Sequence, residues 1–125
     1  MTPTDIKTPL TITNSVAIAA KTSTVTGTGL DISGYAGGLL LVQDVGVVSG
    51  TTPTLDGKWQ SSPDDSTYTD ISGATYTQVT ATTSLQSIGF DVRAAAKYIR
   101  YVGTIAGTTP SFTMGVLIIG QKERV

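Results

Sequence analysis

Apolar residues recur at every second position through much of this chain, in short runs separated by Gly, Pro, Ser and Asp. Period-two alternation puts one set of side chains on one face of a pleated strand, so the pattern predicts strands joined by turns. Residues 15–20 carry Val16, Ile18 and Ala20 in step and predict a first strand. A short strand is expected at Leu30-Asp31-Ile32. The strongest signal lies at 39–48, interrupted by Gln43-Asp44 and by Gly46. Gly50-Thr51-Thr52-Pro53 is expected to turn the chain. Residues 54–61 alternate cleanly, with Leu55, Gly57 and Trp59 on one side and Asp56, Lys58 and Gln60 on the other. In Ser62-Pro63-Asp64-Asp65-Ser66, Pro presets its dihedral and Asp bonds back to the backbone, so residues 68–71 should return as a hairpin. Residues 75–80 and 85–92 follow, the latter with Ile88, Phe90 and Val92 in step. Arg93-Ala94-Ala95-Ala96 is too short for a stable helix and predicts a single helical turn. Residues 97–105 and 112–121 read as two long strands around the turn Gly107-Thr108-Thr109-Pro110. About eight strands at this spacing predict an all-β fold, an antiparallel β-sandwich of jelly-roll type.

Residues 1–14 fall outside the alternation. Pro3 and Pro9 push their preceding residues toward extended geometry, and Ile6, Leu10 and Ile12 are scattered apolar points. This stretch is expected to be an extended N-terminal arm, followed by a single β-sandwich domain over 15–125. No repeat of 20–50 residues, no heptad and no charge block is seen, and 125 residues suffice for one domain.

Composition narrows function by exclusion. The chain has no Cys and no His, which removes disulfides, thiolate nucleophiles, imidazole bases and the usual zinc and haem ligands. Net charge is −1, so there is no basic field to hold nucleic acid or an anionic membrane. The first residues lack a basic segment followed by an apolar one, and the apolar runs at 39–42 and 116–119 are too short to span a bilayer. No enzymatic activity and no cofactor are expected, and neither nucleic acid nor membrane is expected as a partner.

Four carboxylates, Asp56, Asp64, Asp65 and Asp70, cluster around one hairpin. A pair of carboxylates can serve as acid and base in glycoside hydrolysis, but Asp in and beside turns ordinarily bonds the local backbone, and that reading is preferred. Their spacing lacks the Asp-x-Asp-x-Asp-Gly loop and distal Glu of a calcium site. Trp59, Tyr35, Tyr68, Tyr76, Tyr98 and Tyr101 offer flat rings for sugar stacking, although Trp59 alternates with the apolar set of its strand and so reads as core. Arg100, between Ile99 and Tyr101, is expected to point outward. Leu39-Leu40-Leu41-Val42 and Val116-Leu117-Ile118-Ile119 are apolar on both faces of their strands, so something should cover the second face: the arm, a loop or a neighbouring subunit.

The run Leu30-Asp31-Ile32-Ser33-Gly34-Tyr35-Ala36-Gly37, the strand ending Asp44-Val45-Gly46, and the hairpin Trp59-Gln60-Ser61-Ser62-Pro63-Asp64-Asp65-Ser66-Thr67-Tyr68-Thr69-Asp70-Ile71 together carry a resemblance. With Lys97-Tyr98-Ile99-Arg100 and Thr109-Pro110-Ser111-Phe112, they resemble small structural proteins encoded near the head genes of tailed bacteriophages and prophages. The resemblance implies a virion protein made in the host cytoplasm, a decoration (cement) protein on the outer head surface. It implies a homotrimer bound to a major capsid protein. Capsid or subunit contacts are then expected from Ile6, Leu10, Ile12, Tyr35, Leu40, Arg100, Leu117 and Ile119. The Asp64-Asp65-Ser66-Thr67-Tyr68-Thr69 hairpin followed by Tyr98-Ile99-Arg100 also resembles discoidin-like, carbohydrate-binding jelly rolls, from which Ser62-Pro63 departs. A tail-associated virion module of the same fold is the remaining alternative.

Overall fold

A computed structural model describes residues 10–122 of the chain. Seven strands form one antiparallel sheet: β1 (Leu10–Lys21), β2 (Val25–Thr26), β3 (Leu30–Asp31), β4 (Tyr35–Ser62), β5 (Thr69–Thr75), β6 (Ser84–Asp91) and β7 (Tyr98–Lys122). The sheet runs β1-β7-β4-β5, with β6 also beside β4, and β2 and β3 also beside β7. One 3₁₀ turn, Val92–Ala94, follows β6 and meets the expected single helical turn.

Two strands are far longer than the sequence pattern suggests. β4 and β7 pair antiparallel from Tyr35↔Lys122 through to Ser62↔Tyr98. Gly50-Thr51-Thr52-Pro53 and Gly107-Thr108-Thr109-Pro110 were expected as turns between separate strands, and neither reverses the chain. They lie opposite each other, with Thr51 paired to Thr108, as kinks in a continuous ladder. Gly50 and Gly107 take φ of 110° and 120°, and Thr52 and Thr109 sit in the left-handed region at 48° and 46°. A β-branched residue there is strained, and it persists because both ladders hold it on either side. The paired kinks carry an internal repeat: residues 45–55 and 102–112 are identical at six of eleven positions and similar at the rest.

At these kinks the sheet bends into two layers. The first comprises residues 35–49 of β4 and 111–122 of β7, flanked by β1 and β6. The second comprises residues 54–62 and 98–106, flanked by β2, β3 and β5. Along β7, Phe112, Met114, Val116 and Ile118 are buried while Thr113, Gly115, Leu117 and Ile119 are only partly so, as a period-two strand with one face inward requires. The second layer answers with Leu55, Trp59, Ile99 and Tyr101, all buried. Each such large apolar side chain contributes about 1.5–3 kcal/mol by leaving water.

Buried polar groups tie one layer to the other. The Tyr76 hydroxyl donates to the Leu41 carbonyl at 2.8 Å and accepts from Trp59 Nε1 at 2.9 Å. The Tyr101 hydroxyl donates to Gln43 Oε1 at 2.5 Å, while Gln43 Nε2 has no hydrogen-bond partner among the described residues. Gly57 makes this approach possible, because a Cβ there would lie 2.1 Å from Gln43 Oε1. Such bonds are directional and fix the register of one layer over the other, which apolar packing alone leaves loose.

Leu10, Ile12 and the rest of 10–14, read from the sequence as arm, belong to β1. They pair with residues 117–121 of β7, because their own alternation matches the pleat and offers β7 its missing neighbour. Ile6 lies outside the described residues. Among the described residues no helix is long and apolar enough to cross a membrane.

Candidate interaction face

The two layers turn very different outer faces to solvent. On the second layer, Lys58 and Gln60 of β4 stand beside Arg100 of β7 and Asp70 of β5. Lys58 pairs with Asp70 at 3.1 Å, Gln60 donates to the same carboxylate at 2.8 Å, and Arg100 Nε donates to Gln60 Oε1 at 3.0 Å. The Arg100 guanidinium also lies 4.0 Å from the centroid of the Tyr68 ring, a cation–π contact. Tyr68 in turn donates to Asp65. This face is polar, and its named groups are engaged with one another.

The first layer's outer face is apolar. Ladder register places Ile12, Ile119, Leu40 and Gly89 in one row across β1, β7, β4 and β6. The next row is Asn14, Leu117, Val42 and Ser87, and the third is Gly115, Asp44 and Leu85, with Ile18 packed against Gly115. Ile12 is 66%, Ile18 72%, Leu85 73% and Leu40 39% exposed. Asp44 is the charged residue within these rows. The sequence reading that strands 39–42 and 116–119 need a cover on their second face therefore lands on a real surface, open among the described residues. Exposed apolar residues gathered on one face in this way are less ordinary on a protein surface than single scattered ones.

The other sequence candidates distribute as follows. Leu10, Ile12, Leu40, Leu117 and Ile119 all join this one face. Tyr35 does not: its side chain is buried, and its hydroxyl shares a hydrogen bond of 3.1 Å with Thr13 Oγ1 on the inner side. Arg100 points outward as expected but on the opposite layer, where Tyr68 and Gln60 engage it. Leu85 and Ile18 were missed. Leu85 stood one position outside the in-step set of its strand, the position that faces the outer side.

The carboxylates near the hairpin are engaged singly. Asp64 accepts from the Thr67 and Ser66 backbone N–H groups and from the Ser62 hydroxyl, which together hold its carboxyl below the usual range. Asp70 is held low by Gln60 and Lys58. Asp56 accepts from Gln78. Among the described residues no three acidic groups gather as a metal site. Of the aromatics, Trp59, Tyr76 and Tyr101 are core residues. Their rings meet edge to face at 5.8 Å (Trp59–Tyr101) and tilted at 6.2 Å (Tyr76–Tyr101), and being buried they offer no outer platform to a sugar.

Burial pushes the Tyr76 and Tyr101 phenols well above their ordinary value, and Tyr68 is pushed up to about 12 by partial burial and then by Asp65. A phenol whose folded pKa is raised favours the folded state fully below about pH 10 and loses that contribution as pH climbs through its folded value. Stability is therefore expected to fall steadily above about pH 10. Absorbance at 295 nm should show Tyr76 and Tyr101 ionising only well above about pH 10, together with loss of the near-ultraviolet circular dichroism. Ionisation of all five tyrosines near pH 10 with native dichroism retained would contradict the buried assignments.

No protein-family model matches the chain, and no curated protein matches it. Among solved structures it is similar to the crystal structure of the SPBc2 prophage-derived protein YomS, at 14% identity over 94% of this chain and 100% of that chain, with a TM-score of 0.49. A likeness of that degree assigns neither family nor role.

Proposed function

We propose that the chain is a structural protein of a tailed-bacteriophage virion, a decoration protein that docks on the outer surface of the head and stabilises it without catalysing a reaction. The observation that carries this reading is the contrast between the two outer faces. One is a network of mutually engaged polar groups, and the other is an apolar face spanning β1, β7, β4 and β6 that is open among the described residues. A cement protein needs one such side for the shell and another for water. The sequence resemblance described above points the same way. The absence of His and Cys from the whole chain supports a role in binding.

The fold of this reading is a jelly roll. Counting each kinked strand as two halves, and β2 with β3 as one, there are eight segments. First pairs with last, second with seventh, third with sixth and fourth with fifth, the wrapping of a jelly roll. Of the stretch read as an arm, residues 10–14 belong to β1, and the rest lies outside the described residues. The partners are the major capsid protein and further copies of this chain, arranged as trimers around symmetry axes.

The test is co-sedimentation with undecorated heads assembled from a tailed-bacteriophage major capsid protein, with tails and a glycan array in parallel. Saturable binding of the full chain to heads, with none to tails, is the expected result. A chain left in the supernatant, or one that binds tails or a glycan array instead, overturns the proposal.

A further inference from the structure

An edge strand carries a row of N–H and C=O groups ready to pair with another chain, and most proteins blunt such edges. Three edges of this sheet are blunted. β1 carries two register irregularities and ends at Lys21, β2 and β3 are two residues each, and β5 contains Gly73 at φ 80° opposite an irregularity in β4. β6 is different. Its eight residues match eight successive residues of β4 without a bulge, and it holds no Lys, Arg or Pro. Its one charge, Asp91, stands at its end. Among the described residues its backbone ladder is with β4 alone.

We propose that this edge pairs with β6 of a second copy, antiparallel about a two-fold axis at Ser87. The inference goes beyond the role proposed above and holds for the free protein. Direct cross-strand partners must point to the same side of the sheet, so the axis must pass through a residue. With Ser87 on the axis, Leu85 of each copy stands opposite Gly89 of the other, Gln86 opposite Ile88, and Ser84 opposite Phe90. Gly89 sits in the row Ile12-Ile119-Leu40-Gly89 as a gap: a Cβ built there has nothing within 4 Å. Leu85 of the second copy fills that gap and continues the apolar row, and its own exposure falls in exchange. An axis at Ile88 instead sets Leu85 against the Asp91 carboxylate, and an axis at Gly89 sets Ser87 against it. With the axis at Ser87, Asp91 meets Thr83 and no like charges face each other.

A two-fold contact joins copies of different trimers and not neighbours within one, so on a shell it is a lateral link between docked assemblies. Seven paired residues bury far less than the roughly 1,200 Å² of a stable interface, so the pair is weak in free solution. A shell that fixes many copies side by side raises their effective concentration.

Disulfide trapping captures a weak pair, and the chain has no cysteine of its own to interfere. Directly opposite residues have Cα atoms about 4.5–5.5 Å apart, within disulfide reach. Ser87→Cys is therefore expected to give a covalent dimer under mild oxidation. Leu85→Cys places its two thiols four residues out of step, about 13 Å apart, and should cross-link at least about tenfold more slowly. Adding Gly89→Glu to Ser87→Cys occupies the seat of Leu85 with a charge in open space. It should leave the far-ultraviolet circular dichroism unchanged and cut the dimer yield by about tenfold. Absence of the Ser87→Cys dimer, equal rates for Leu85→Cys, or indifference to Gly89→Glu in a folded chain overturns the pairing.

Discussion

Alanine at Gly50 or at Gly107 is expected to cost about 3–5 kcal/mol, a large part of what holds a domain of this size together. Two penalties combine at each site. The backbone stands at φ 110° and 120°, a region that residues with a Cβ avoid. The added Cβ would also lie 2.7 Å from the Thr109 carbonyl and 2.8 Å from Pro110 Cα at Gly50, and 2.8 Å from the Thr52 carbonyl and 2.9 Å from Pro53 Cα at Gly107. Those neighbours are backbone atoms of the facing kink and cannot rotate aside. Gly73 is the control, since it shares a positive φ of 80° but a Cβ there meets nothing within 4 Å, so alanine should cost only about 1 kcal/mol. Thermal unfolding should show drops of about 10 °C or more for the first two variants and a few degrees for the third. The double variant should be less damaged than the sum, because each kink presses on the other and one opening relieves both. Equal, small effects at all three glycines would mean that the paired kinks do not hold the two layers together.

Those kinks are also where sequence reading and structure part. Period-two alternation is a local property of a strand and was readable: Leu55, Gly57 and Trp59 do face the core, and the 54–61 segment does meet the strand after the Ser62–Ser66 turn. Gly-Thr-Thr-Pro signals a change of backbone direction but not its angle. Whether the chain reverses or only bends depends on what lies opposite, and that partner is 57 residues away, from Gly50 to Gly107. The readable clue was the similarity of 45–55 and 102–112, since two copies of one motif favour being paired in the same way. The apolar outer face was half legible. Four-residue apolar runs on β4 and β7 announced a second face in need of cover, and Leu10, Ile12, Leu40, Leu117 and Ile119 fell on it. Tyr35 and Arg100 lie off this face because a single residue's surroundings are set by distant elements, Thr13 of β1 for the first and Tyr68 of the β4–β5 connection for the second.

Charging the open apolar face is the change expected to act most strongly on binding. Leu40→Lys with Ile119→Lys puts two ammonium groups side by side in the central row, directly across the β4–β7 ladder. Both side chains point away from the core, so the fold should lose no more than about 1–2 kcal/mol, from cross-strand repulsion and lost neighbour contacts. Docked against a shell, the same two charges must leave water without a partner, which costs several kcal/mol. Head binding should therefore fall by at least about a hundredfold, the equivalent of about 2.8 kcal/mol, while the melting temperature moves by only a few degrees. Lys58→Ala with Arg100→Ala alters the opposite face by a comparable number of charges and breaks the pairs with Asp70 and Gln60. It should leave head binding within about twofold, because exposed pairs of this kind are worth little and the proposed docking face is the other one. Sedimentation with heads over a range of chain concentrations separates the two. If the Lys58 and Arg100 variant loses binding and the Leu40 and Ile119 variant keeps it, the protein docks by its polar side and the orientation argued here is inverted.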